Sequence, residues 1–256
     1  MKGVNDMNEH EIFPNSPIKK VIFQIIFPNL FYLETKIPNI QVRIMEKFPD
    51  SALLIQQKFQ FSEIGAEKPQ MDENENLVNN KIWEFRSKNG DKLTISSNSL
   101  SILSENYVTY DNPEYPDAFK NIIFYVLDAF FEEIKLPILY RMGLRYINEF
   151  DIKEKTKSYY ENLINTNFPL TKFDIASSVD MIFKTTYIID NNKINLIEIM
   201  QPNDKGENTL VLDIDAYNEQ IPTEDITPKI DALHKSIDDI FFGAVKDGAI
   251  QKMRGE

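Results

Sequence analysis

Cysteine is absent from the 256 residues, which excludes disulfides, thiolate metal centres and a cysteine nucleophile and accords with a reducing compartment. Histidine is nearly absent, with only His10 and His234. A Ser-His-Asp arrangement needs a histidine oriented by a carboxylate, and an imidazole metal centre needs several histidines converging, so neither is expected. His234, beside Leu233 in a helical pattern, reads as a helix-surface or boundary residue. The 8 glycines form neither G-x-x-x-x-G-K-S/T nor G-x-G-x-x-G, so the two common phosphate-cradling loops are missing and no cofactor is expected. Lys205-Gly206 reads as a turn. No apolar run reaches the roughly 18 to 20 residues that cross a bilayer, and residues 1–15 carry polar and charged groups where a secretory signal has an apolar stretch. The expectation is a soluble, cytoplasmic chain with no membrane contact, opened by a flexible tail over 1–15.

What is present is enough apolar material for a core: 42% hydrophobic residues, with 18 Phe and 11 Tyr. A chain of this length buries roughly 70 to 75% of its unfolded surface. The formal charge is −12, from 40 acidic and 28 basic residues. Such a field repels phosphate backbones, so nucleic acid is not expected as a nonspecific ligand, whereas a basic protein partner is steered in.

Pattern supplies the elements. Residues 18–27 are rich in β-branched and aromatic side chains on both faces and predict a central strand closed by Pro28. A short helix is predicted over 38–47, stopped at Phe48-Pro49, then a strand over 51–63 and a polar loop over 63–80. Asn89-Gly90 between two alternating runs predicts a hairpin, with a further strand near 99–103. Between 116 and 134 apolar residues recur at three and four positions and predict a long amphipathic helix. A strand is predicted from Tyr140 to about Ile152, a short helix over 158–165, and three antiparallel strands over 179–189, 194–200 and 210–217. Thr227-Pro228 then reads as an N-cap and first position of a second long amphipathic helix, weakened at its end by Gly243 and Gly248. The fold class is α+β, with antiparallel sheet packed by two long amphipathic helices. The domain reading is a first α+β half over 16–152 and a second over 153–256, as two units or as one continuous domain. A shift of 111 positions aligns Phe119 with Ile230, Ile122 with Leu233, Val126 with Ile237 and Phe130 with Phe241, a pattern open to two readings, two pseudo-repeated halves or two helix stripes in chance register.

Candidate chemistry sits on strands. Alternation places Arg141, Gly143, Arg145 and Ile147 on one face of the 140–152 strand and Met142, Leu144 and Tyr146 on the other. Arg141 and Arg145, with Asn148 closing the segment, are the candidate ligand- or partner-binding residues, since planar guanidinium forks suit carboxylates and phosphates. The competing reading pairs these arginines with acidic residues of the same sheet. Asp213 and Asp215 share a face of the last strand, and with Glu198 on a neighbouring strand they are candidate oxygen ligands for Mg²⁺ or Mn²⁺. Trp83, the one tryptophan, reads as a core anchor rather than a stacking platform.

The first strand, the helix followed by Gly143-Leu144-Arg145-Tyr146-Ile147-Asn148, and Leu212-Asp213-Ile214-Asp215 before a terminal helix together resemble a sporadically distributed, uncharacterised prokaryotic family of similar length. The chain departs from that family's pattern at Lys20 and Ile26, where the family carries a glutamate and an arginine. The resemblance implies no activity, substrate or cofactor, but its patchy distribution implies association with antiphage or toxin-neutralising genes. The leading expectation is therefore a non-catalytic binding or regulatory component of a prokaryotic defence assembly, with another protein as partner. The alternatives are a metal-dependent hydrolase or nuclease built on Glu198, Asp213 and Asp215, and a nucleic-acid or nucleotide sensor using Arg141, Arg145 and the lysines 153, 155 and 157.

Overall fold

Alternation in the first strand, β1 (Ile18–Ile26), sends Val21, Phe23 and Ile25 to full burial while Ile22, Gln24 and Ile26 stay half-buried on the other side. The other strands are β2 (Asp50–Gln56), β3 (Asn80–Arg86), β4 (Lys92–Ser96), β5 (Ser99–Ser104), β6 (Ile138–Asp151), β7 (Met181–Ile189), β8 (Asn192–Pro202) and β9 (Asn208–Pro222); burial alternates in β4, β5, β7 and β8, whereas β2 is exposed from Asp50 to Ile55. Among the described residues all pairings are antiparallel and join the strands into one nine-stranded sheet of order β2-β3-β4-β5-β1-β6-β9-β8-β7. The computed structural model describes residues 12–56 and 80–256 apart from 167, 169, 171, 173 and 204. The strand predicted over 51–63 is present to Gln56. Its remainder, most of the polar loop over 63–80 and residues 1–11 of the expected tail lie outside the described residues.

Five helices accompany the sheet among the described residues: α1 (Leu33–Ile44), α2 (Phe119–Glu133), α3 (Lys157–Leu163), α4 (Ile226–Ala244) and α5 (Asp247–Arg254). The fold is α+β, as the pattern implies. Helix-facing residues Phe23, Ile25, Leu144, Ile214 and Leu196 meet Ile40, Val126, Phe130, Leu233 and Ile237 in one buried core. Phe27 packs on Phe130 with ring centroids 5.3 Å apart. Trp83 is partly buried against this core. The central placement of β1, between β5 and β6, follows from its two apolar faces.

Three boundaries move for identifiable reasons. The first helix starts at Leu33, ahead of the predicted 38, because Leu33 and Ile37 extend the buried stripe of Ile40 and Ile44, which outweighs the intrahelical bond to Glu34 O that Pro38 in the second turn cannot make. The last long helix begins at Ile226 with Asp225 before it, so Thr227 is not the N-cap and Pro228 lies inside the first turn. The end that Gly243 and Gly248 weaken is a break at Val245, after which the chain restarts as α5. There Gly248 lies so close to Asn162 of α3 that an added Cβ would overlap its backbone carbonyl oxygen, 2.7 Å away.

The element order reads strand, helix, antiparallel meander, helix twice over: β1-α1-(β2 to β5)-α2, then β6-α3-(β7 to β9)-α4. In each series the last meander strand returns beside the first strand, and β1 and β6 lie side by side and antiparallel. With α1 and α2 packed together and α4 laid over β9, β6 and β8, the helices among the described residues leave the opposite sheet face uncovered.

Candidate functional site

The uncovered face carries both candidate arginines. Arg145 is cross-strand from Asp215, yet its guanidinium engages Asp213 two residues away as a fork: Nε donates to Oδ1 at 2.7 Å and Nη2 to Oδ2 at 2.5 Å. The Asp213 carboxylate, hydrogen-bonded and close, holds the Arg145 guanidinium above its already high range, with Asp215 adding to the pull. Arg141 reaches four residues along the strand to Asp215, Nη2 donating to its two oxygens at 2.8 and 2.9 Å. On the way it lies over Gly143, donates to Gln24 Oε1 at 3.3 Å and covers the Tyr217 ring at 4.5 Å. The glycine is explained by that passage, because a Cβ there would sit 2.7 Å from Arg141 Nη1 and 3.0 Å from Cζ. Gly143→Ala is expected to push the guanidinium off Asp215 and Tyr217 at a cost of about 1 kcal/mol, the sum of a cross-strand pair and a cation–π contact less the entropy gained on removing a glycine. In an Arg141→Ala background the same substitution should be neutral or stabilising by urea titration; an undiminished cost there would show that the backbone and not the arginine needs the glycine.

The structure separates the remaining candidates. Asn148 lies on the helix-facing side, 2% exposed, where its Nδ2 donates to Leu212 O at 3.1 Å. It fastens β6 to β9 and does not join the arginines. Glu198 also faces the helices, 2% exposed, and accepts from Thr166 Oγ1 at 2.7 Å. Asp213 and Asp215 lie across the sheet from it, so the oxygen-ligand trio expected from adjacent strands does not converge: Glu198 is in register with Leu212, not with either aspartate. Among the described residues no three His, Cys, Asp or Glu side chains group as for a metal ion. Of the three connector lysines, Lys155 donates to Ser178 O and Lys157 pairs with Glu161 at 3.7 Å.

A second constellation escaped the sequence pattern. On the helix-facing side His234 of α4 lies between Tyr110, at a ring-centroid distance of 3.7 Å, and Tyr146 of β6, at 5.9 Å and nearly parallel. Tyr146 Oη is 3.5 Å from His234 Nδ1 and 3.3 Å from Tyr107 Oη, while His234 Nε2 is 3.4 Å from Asp238 Oδ2. Tyr110 Oη donates to Asp231 at 2.8 Å, and Lys120 Nζ bridges Asp111 and Asp231. Burial pushes the Tyr107, Tyr110 and Tyr146 phenols well above their ordinary range. It lowers His234 to about 4, against the opposing pull of Asp231 and with Lys120 assisting.

No family model, curated protein or solved structure matches the chain. What the site does must then follow from its own geometry.

That geometry gives an ion-pair lattice on one face and a hydrogen-bonded aromatic stack on the other. The lattice was half legible, since alternation places Arg141, Arg145, Asp213 and Asp215 on sheet faces, but only the β6–β9 pairing makes the faces the same. The stack draws on residues 107, 110, 146 and 234, too far apart for any local period. Its one sequence trace is Asp238 four residues after His234, an i,i+4 neighbour on a helix.

Proposed function

We propose that this chain is a non-catalytic binding component of a prokaryotic defence or toxin-neutralising assembly, and that it engages another protein through its uncovered sheet face. The observation that carries this reading is that both guanidinium groups suited to a phosphate are already matched by aspartates of the same chain, on a face that is otherwise rich in isoleucine. Arg141 and Arg145 pair with Asp215 and Asp213, and Glu84 pairs with Arg86 and Lys92 on the same side. Between these pairs Ile22, Ile26, Ile147 and Ile197 are half-buried, and on the edge strand β7 Ile182 and Ile188 are 67% and 74% exposed. A self-neutralised, isoleucine-rich face without a helix layer suits protein contact better than phosphate contact. No described helix is long and apolar enough to cross a membrane. The resemblance to a patchily distributed prokaryotic family supports the defence setting.

The two element series are read as an internal duplication about an axis between β1 and β6. Support comes from the shared order of elements and from the helix pairs Phe119/Ile230, Ile122/Leu233, Val126/Ile237 and Phe130/Phe241, all of them buried in α2 and α4.

The test is affinity capture from the native host with the wild-type chain and with an Ile182→Glu/Ile188→Glu variant, followed by reconstitution with the captured partner. The expected result is binding weakened at least about tenfold by the two charges, or about 1.4 kcal/mol, with an unchanged melting curve. Equal affinity in the variant, or no partner together with substrate turnover by the isolated chain, would overturn the reading.

A further inference from the structure

We propose that the chain holds an organic ammonium group in a groove on the helix-covered side of the sheet, remote from the uncovered face. Two adjoining cavities, of about 390 and 180 Å³, share Asn89, Asp91, Asp117 and Ile122 and form this groove. It lies between the β3–β4 turn, the segment entering α2 and the end of α1.

The argument begins with Asp91. Its residue is 4% exposed, and its carboxylate accepts a single side-chain hydrogen bond, from Ser87 Oγ at 3.1 Å. Two other buried carboxylates have cations within 4.0 Å: Glu84 has Arg86 and Lys92, and Asp213 has Arg145. Asp91 has none among the described residues. A buried carboxylate without a cation is costly and calls for a partner. The second observation is Ser104, which is 3% exposed and lines the larger cavity. Its hydroxyl makes no hydrogen bond among the described residues, and it is not sealed from solvent. Of the other groove carboxylates, Asp117 is taken by Lys47 at 2.6 Å and Asn89 at 3.3 Å, and Glu46, like Lys88, is exposed on the rim, so the buried carboxylate without a cation is Asp91.

The walls select the ligand. Tyr107, Tyr115 and Phe119 line the larger cavity, and Tyr107 is wedged edge-on between Phe119 at 6.1 Å and Tyr146 at 5.5 Å. Aromatic faces beside a carboxylate and a hydroxyl acceptor suit an alkylammonium, which satisfies all three. An anion would meet Asp91 directly, and a neutral ligand would leave its charge unmatched. The net charge of −12 raises the local concentration of such cations. The ammonium can belong to a free diamine or to a lysine side chain of another protein, and these share the same chemistry.

The experiment titrates the full chain at low salt and neutral pH, by calorimetry and amide chemical shifts, with 1,5-diaminopentane, with an N-acetylated, C-amidated Gly-Lys-Gly peptide, and with Ca²⁺. Saturable binding of the diamine or the peptide is expected, with shifts centred on residues 87–91 and 104–119. Asp91→Asn, which retains an acceptor for Ser87, should weaken it about tenfold, Ser104→Ala about threefold, and Glu149→Gln on the far face not at all. Binding of the diamine alone assigns a free amine, and binding of the peptide alone assigns a partner's lysine. If Asp91→Asn does not fold, Ser104→Ala and Tyr115→Ala carry the same expectation. No saturation by either amine, undiminished affinity in the groove variants, or saturation by Ca²⁺ alone would overturn the proposal. Since the uncovered face is not involved, none of these outcomes bears on partner capture through the isoleucines.

Discussion

Arg145→Ala is expected to lower stability by about 2 to 3 kcal/mol, because it strands an Asp213 carboxylate whose side chain is only 8% exposed. Removing one member of a buried pair costs roughly 3 to 5 kcal/mol, and the 43% exposure of Arg145 lets water return and places this case at or below that range. For a chain of this size the melting midpoint should fall by roughly 5 to 10 °C. The cost belongs to the orphaned charge more than to the lost attraction, so Arg145→Leu/Asp213→Leu should recover most of it. Asp213 lies in register with Ile147 on one side and Ile197 on the other, an apolar setting that receives a leucine pair. A normal melting curve for Arg145→Ala with loss of partner or ligand binding would contradict this and return the arginine to the role of a recognition residue.

Stability is expected to fall on acidification through His234. Its pKa is lowered from the ordinary 6.5 to about 4 in the folded chain, so the folded state binds fewer protons than the unfolded state between those values. The contribution is complete above pH 6.5 and lost as pH falls toward 4. It amounts to about 3 kcal/mol in all, of which about 2 kcal/mol is gone by pH 5. The side chain is 19% exposed and faces Tyr110, Tyr146, Asp238 and the Lys120–Asp111–Asp231 cluster, with few routes for water to solvate an imidazolium. Asp238 acts in the opposite sense. Burial and Asp239 raise it from 3.8 to about 7, so its contribution is present at low pH and lost as pH rises through 7; its side chain is 46% exposed, and solvent screens much of that effect. The readout is therefore the difference between the wild-type chain and His234→Gln in urea titrations from pH 7.5 to 5. The wild-type advantage should shrink by about 2 kcal/mol across that interval. A pH-independent difference would show that the imidazole is solvated and titrates normally. One consequence is that the ring stack, and with it the Tyr107 wall of the groove, stays intact throughout the neutral range.

The sequence by itself determined the strands and helices, and with them the α+β class, because burial of one face imposes a period of two on strands and near 3.6 on helices. Val21, Phe23 and Ile25 in β1 and Ile122, Val126 and Phe130 in α2 show this directly. It also placed Arg141 and Arg145 on one strand face and Asp213 and Asp215 on another. Period alone does not say which strand lies beside which. A carboxylate on a solvated strand, a metal ligand and half of an ion pair have the same local pattern, and the β6–β9 register decided among them by bringing Asp213 under Arg145 and turning Glu198 to the other side. Helix bounds moved where tertiary packing outweighed local signals, at Pro38 and at Thr227-Pro228. The Tyr107–Tyr146–His234 stack and the buried Asp91 belong wholly to the tertiary structure. Their chemistry arises from desolvation and from neighbours distant in sequence, and neither leaves a mark in a stretch of residues read on its own.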